Sequence, residues 1–254
     1  MKINHYLIIT LGTRDIALSK NTPNELFSLV KTREQNNSIY PVAPRLAGKV
    51  ILEHIQQFLP YIHLPIIEPL LHHYFIQKIR IPLQSIQYLF IATNQPKPSD
   101  IDKEFYFNSD TVYYPNIIQH YLHYKYNIPL HNIQQHLISH PHLNLYDQMY
   151  EYFHEQFAKE FTPEPPFQIF FLPQGGIDAI NTTLMLYLNE NYSSIQQLYI
   201  NENAEYTVLK FPIKYKLKLI EKLIDNYNYS ALLQLPYIHP NLKQFLQQTI
   251  DHIH

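Results

Sequence analysis

The chain has no cysteine, so neither disulfides nor thiolate metal sites are available to it. It has almost no net charge, −2 with histidine neutral. A protein built to hold duplex nucleic acid carries a basic excess, so phosphate recognition here has to be local, made by a few amides and side chains. Long apolar runs are also missing. The longest candidate, around 64–79, is broken by Pro65, Glu68, Pro69, His72 and His73, which is too interrupted for a span of roughly 20 apolar residues. The first residues, MKINHYLIIT, lack the layout of a signal peptide. These absences favour a soluble, cytoplasmic protein without membrane contact. No G-x-G-x-x-G and no Walker A motif occurs, which counts against NAD, FAD and ATP as cofactors, and no other cofactor is expected.

Glycine is scarce as well. There are four in 254 residues: Gly12, Gly48, Gly175 and Gly176. A chain this sparing uses glycine where backbone geometry favours it. Three of the four follow apolar, strand-like runs, and those two places are the candidates for function.

What is present is 46% hydrophobic, ample for a buried core. Apolar runs at 5–11, 86–92, 167–172, 195–200 and 206–211 read as strands, with a shorter one at 136–139. Helical spacing occupies 46–59, 70–79, 115–126, 146–157 and 177–188. Residues 20–45 are polar and proline-bearing, a loop or insertion. The last forty residues read as two helices. Strands alternating with helices imply an α/β, Rossmann-like fold, a mainly parallel sheet with helices on both faces. A domain at 1–212 is followed by a helical tail at 213–254. In such sheets ligands bind at the carboxyl ends of strands, near a reversal of strand order.

The sharpest motif is FLPQGGIDAIN, where a strand turns through Gln174, Gly175, Gly176 and Ile177 into a helix. Amides at a helix N-terminus attract phosphate, and glycine lets it approach the backbone. Asn181 lies one turn inside that helix. A tight connection with no ligand explains the pair as well. The second motif is LGTRDIAL. Gly12 begins the turn, Thr13 offers a hydroxyl and Arg14 a guanidinium fork. Asp15 is free either to accept from a ribose hydroxyl or an adenine amine, or to hold Arg14. Thr93, Asn94 and Gln95, after the strand at 86–92, would line the pocket edge.

LGTRDIAL and LPQGGIDAIN together resemble the two ligand loops of the CARF domains of type III CRISPR defence. SIQYLFIATNQ and SDTVYYPNIIQHYL fit that family's order of elements, and KLKLIEKLIDNYNYSALLQL resembles the segment joining a CARF domain to its effector. The resemblance spans roughly 3–212 and implies a homodimer binding a cyclic oligoadenylate on its twofold axis, with tetra- and hexa-adenylate favoured. It implies contacts from Gly12, Thr13, Arg14, Asp15, Gln174, Gly175, Gly176 and Ile177. One departure is Ile177, where many members have Thr or Ser; this bears on ring cleavage more than on binding. Two other readings stay open. One is a metal-independent ring nuclease with Thr13 and Arg14 aligning the 2′-hydroxyl attack. The other is an α/β interaction domain that needs no ligand.

The chain shows no sign of the nuclease such sensors often carry. Arg-x4-His is absent: five residues beyond Arg14, Arg33, Arg45 and Arg80 lie Ser19, Ser38, Val50 and Ser85. The effector is missing from this sequence, is a separate protein, or never existed. Fifteen histidines include the pairs His72-His73 and His140-x-His142, yet no metal site is expected from them.

Overall fold

A computed structural model describes residues 3–35, 38–99, 104–200, 205–209, 211–226, 228–235, 238 and 240–253. Its frame is a six-stranded sheet built on β1 (Asn4–Thr10). On one side of β1 lie β6 (Ile86–Thr93) and β7 (Ile133–Ile138), on the other β8 (Phe167–Leu172), β9 (Ile195–Ile200) and β10 (Tyr206–Val208). The order is β10-β9-β8-β1-β6-β7; all neighbours are parallel except the β9–β10 edge. The chain lays down β1, moves outward through β6 and β7, then returns to the far side of β1 for β8. Strand order thus reverses between β1 and β8, and the fold is the doubly wound α/β kind that the alternating sequence implies.

A buried parallel strand must be apolar on both faces, and β1 shows it. Leu7 and Ile9 enter one core with Phe90 and Ile117, while Ile8 enters the other with Ile91, Phe153 and Phe171. Helices cover both faces, among them Tyr114–Tyr126 against the first core and Asp178–Asn191 against the second.

The polar stretch 20–45 is more ordered than its composition implies. It holds a helix, Asn24–Leu29, and two strands, β3 (Thr32–Gln35) and β4 (Ser38–Pro41). With β2 (Ala17–Leu18) and β5 (Ile62–His63) these form a four-stranded antiparallel sheet, in the order β3-β4-β2-β5. β3 is polar, and β2 and β5 have two residues each, too short to leave a periodic signal. Residues 206–211 are not one strand: pairing ends at Val208 and a helix runs Phe211–Asp225. Pro212 therefore stands in a first helical turn, where its missing N–H costs nothing. Among the described residues the tail holds three helices where two were expected, Phe211–Asp225, Tyr229–Gln234 and Pro240–Ile253, with a small apolar cluster around Leu232, Ile238 and Leu246. Among the described residues no helix is long and apolar enough to cross a membrane.

Candidate functional site

The two glycine loops meet at the strand-order reversal. Gly12 to Asp15 form a closed turn. The Asp15 amide donates to the Gly12 carbonyl at 3.3 Å, and the Gly12 amide donates back to Asp15 Oδ2 at 2.5 Å. Thr13 and Arg14 occupy the tip, Arg14 exposed and Thr13 half-buried. β1 precedes this turn and β2 follows it almost at once, so the tip is anchored from both sides.

The second loop lies directly against the first. A Cβ on Gly175 would stand 2.3 Å from the Thr10 carbonyl oxygen and 2.6 Å from both Asp15 Oδ2 and the Gly12 nitrogen. One on Gly12 would stand 2.5 Å from the Gly176 nitrogen. Gly176 has φ of +78°, the left-handed region that side chains disfavour. All three glycines are therefore required by loop-to-loop contact and turn geometry, whether or not a ligand is bound. Two side chains complete the lock on the Gly175 carbonyl: Thr10 Oγ1 donates to it at 3.0 Å and Asn181 Nδ2 at 2.8 Å.

Asp15 is 1% exposed. Burial pushes its carboxyl up to about 7, against the opposing pull of the Gly12 amide. Among the described residues its Oδ1 is buried without a hydrogen-bond partner, and so is the Tyr114 hydroxyl, whose own pKa burial and the Asp15 charge raise. Asp15 does not hold Arg14: its carboxylate turns inward and fastens the loop instead. Among the described residues Arg14 forms no ion pair, so its charge is not neutralised by the neighbouring carboxyl, whose ionisation burial disfavours.

Ile177 is the residue before the helix Asp178–Asn191, and no side chain caps that helix. Its first-turn amides lack intrahelical acceptors. Asp178 supplies a negative charge there, with its Oδ2 accepting from the Tyr146 hydroxyl at 2.8 Å. Gln174 is exposed at the loop's outer side.

Thr93, the last residue of β6, leads through Asn94 and Gln95 into a third loop at the same edge, and a charged clamp missed from sequence holds it. Arg45 donates to Asn94 Oδ1 at 3.0 Å, to the Gln95 carbonyl at 3.3 Å, to the Phe107 carbonyl at 2.9 Å and to Asp110 Oδ2 at 2.7 Å. Asp110, 1% exposed, also accepts from the Gln95 amide at 2.6 Å and its side chain at 3.0 Å. The Arg45 guanidinium lies over the Phe107 ring at 3.8 Å. The Thr93 and Thr111 amides each donate to the other's hydroxyl at 3.4 Å, and the Thr111 hydroxyl donates to the Leu11 carbonyl at 3.5 Å. That contact joins the third loop to the first. Arginine is as scarce as glycine here, four in the chain, and the same scarcity argument applied to arginine would have drawn attention to Arg45.

Beside these loops a cleft of about 690 Å³ opens between 95–99 and 141–144, the segments that follow β6 and β7. Ile177 belongs to its lining, so cleft and glycine loops are contiguous.

No protein-family model and no curated protein matches the chain. A search of solved structures finds similarity to Enterococcus italicus Csm6 bound to cyclic hexa-2'-fluoro-hexa-dAMP. Identity is 15% and the TM-score 0.47; the match covers 98% of this chain and 53% of that one. The chain thus spans about half the length of that structure.

Proposed function

We propose that this protein is a sensor that binds a cyclic oligoadenylate across a homodimer and controls an effector lying outside this chain. The observation that carries the reading is the interlock of the Gly12–Asp15 turn with the Gly175-Gly176 loop at the reversal of strand order, with Thr13 and Arg14 left at an anchored tip. That is where doubly wound sheets place nucleotide ligands. An exposed arginine fork and uncapped helix amides are chemistry suited to phosphate. The oligoadenylate class comes from the resemblance of these two loops to those of CARF domains, with tetra- and hexa-adenylate the rings to try first. A twofold ring matches a twofold pair of such loops. In this reading residues 1–212 form the ligand-binding unit and 213–254 carry the signal or extend the dimer, in the cytoplasm.

The test is calorimetric titration of cyclic tri-, tetra- and hexa-adenylate into the wild type and Arg14→Ala. Loss of a charged hydrogen bond, about 1.5–3 kcal/mol, weakens binding roughly tenfold to hundredfold. Because Arg14 is exposed and unpaired with Asp15, its removal leaves the melting temperature unchanged. Light scattering gives about twice the 30.4 kDa chain mass. Binding of no ring by the wild type, or near wild-type affinity in Arg14→Ala, overturns the reading.

A further inference from the structure

We propose that two copies of this chain hold each other by their tails. The basic helix Phe211–Asp225 of one copy lies on an acidic, tyrosine-bearing face of the other, formed by 146–157 and the helix Asp178–Asn191. The inference goes beyond the sensor reading, since this contact needs no ring and uses neither glycine loop. Three observations carry it.

Charge is spread unevenly along a chain whose total is near zero. From 127 to 209 there are nine acidic residues against one lysine and no arginine; from 210 to 254 there are six lysines against three acids. On the face, Asp147, Glu151 and Glu155 recur every four residues and are exposed, which makes an acidic ridge. Among the described residues none of the three forms an ion pair, and neither do Lys218 and Lys222, exposed and four apart on the tail helix. Like charges at that spacing repel, so each ridge alone is a small cost that an opposite ridge turns into a gain. Glu221 and Asp225 share the tail helix, but its lysines outnumber them four to two.

Both surfaces also leave apolar groups in water. On the face Tyr146 is 47% exposed, Tyr150 37% and Leu186 43%. The tyrosine hydroxyls donate to Asp178 Oδ2 at 2.8 Å and to Glu190 Oε2 at 3.0 Å, which ties both side chains to the helix Asp178–Asn191 before a partner arrives. Little ordering entropy then opposes docking on them. On the tail helix Leu217 is 54% exposed and Ile224 43%, about two turns apart on one side. Within the tail the buried apolar cluster is Leu232, Ile238 and Leu246, too small a core to steady roughly forty residues alone.

Finally, the tail departs from its own body beside one end of this face. Lys216 Nζ donates to the carbonyl of Tyr192, the residue after the helix Asp178–Asn191, at 3.3 Å. Beyond that point, among the described residues, Lys218 and Lys222 meet no acid of their own chain. A twofold pairing gives each tail the other copy's face. The two identical contacts close as a dimer and leave neither tail nor face over.

The test is a charge swap on exposed residues. Glu151→Lys/Glu155→Lys makes a copy basic on both face and tail, and Lys218→Glu/Lys222→Glu makes one acidic on both. Sedimentation velocity without any ring is expected to show a wild-type dimer, and a dimer dissociation constant raised at least roughly tenfold in each variant. A one-to-one mixture of the two variants returns to wild-type affinity, because each tail then meets a face of opposite sign. Lys218→Gln/Lys222→Gln, which keeps good helix formers in the tail, falls between wild type and reversal. A monomeric wild type overturns the inference. So does a face variant that dimerises as tightly as the wild type, a mixture no tighter than its components, or a glutamine variant without effect. Calorimetric titration of cyclic tetra- and hexa-adenylate separates this from the sensor reading. If no ring binds but the mixture is rescued, the tail exchange stands and the sensor falls; if a ring binds to a dimer that the face variant leaves intact, the sensor stands and the tail exchange falls.

Discussion

The first turn and the third loop lie side by side at the carboxyl edge of the central sheet, yet different forces hold them. The Gly12–Asp15 turn is fixed by backbone contact: glycine lies on glycine, and one inward carboxyl ties the turn closed. The loop at 93–95 is fixed by side chains brought from elsewhere, Arg45 from the helix Pro44–Glu53 and Asp110 from the segment before the helix Tyr114–Tyr126. The first kind of lock leaves its tip side chains free for a ligand. The second spends its polar groups on structure, so the space beside it is lined by rings and apolar chains.

Removing one partner from a buried ion pair strands the other, a loss of about 3–5 kcal/mol. Asp110→Ala is therefore expected to show the largest effect, read as a shift of the urea midpoint. Arg45→Met/Asp110→Leu recovers most of the loss if the cost is the stranded charge. If the double variant is as unstable as the single one, packing rather than charge holds the third loop, and the contrast with the first turn weakens.

Gly175→Ala comes next. The added carbon would stand 2.3 Å from the Thr10 carbonyl oxygen and 2.6 Å from Asp15 Oδ2, so the loops have to part, at an overpacking cost of about 2–3 kcal/mol. Gly48→Ala is the control. Its nearest atom is Tyr113 Cβ at 3.1 Å, and alanine's better helix propensity, about 1 kcal/mol, offsets the squeeze. Equal losses at the two positions would show that the Gly12–Gly175 contact is ordinary packing rather than an interlock.

The last effect belongs to Asp15, is the smallest per step of the measurement, and depends on pH. Its carboxyl sits at about 7 in the folded chain and near 3.8 when unfolded, because burial disfavours the charge. The folded state holds the proton more tightly, so the stability contribution of the neutral acid is complete below pH 3.8. It is lost as pH rises toward 7, by at most about 1.4 kcal/mol per pH unit. Asp15→Asn is expected to flatten this slope between pH 4 and 7 in denaturation curves at fixed ionic strength. A slope unchanged in Asp15→Asn would mean that another group carries it.

The first turn and the third loop also differ in how far the sequence revealed them. The glycine loops were visible because backbone demands are local: a strand-like run ending in glycine marks a turn whatever lies across from it. Arg45 and Asp110 are 65 residues apart, and no local pattern joins them. The small antiparallel sheet escaped for a related reason. Two-residue strands such as β2 and β5 exist only through their partners, and a polar strand such as β3 has no apolar alternation to show.

By itself the sequence determined the fold class, since both-sided burial makes parallel strands continuously apolar and the runs alternate with helical spacing. It also located the two glycine loops, because each turn's backbone need is written in its own residues. The tertiary structure alone decided what those loops do to each other, that Asp15 turns inward while Arg14 stays free, and that Arg45 reaches across to Asp110. Each of these is a contact between segments far apart in the chain, and distance in space is not encoded in spacing along it.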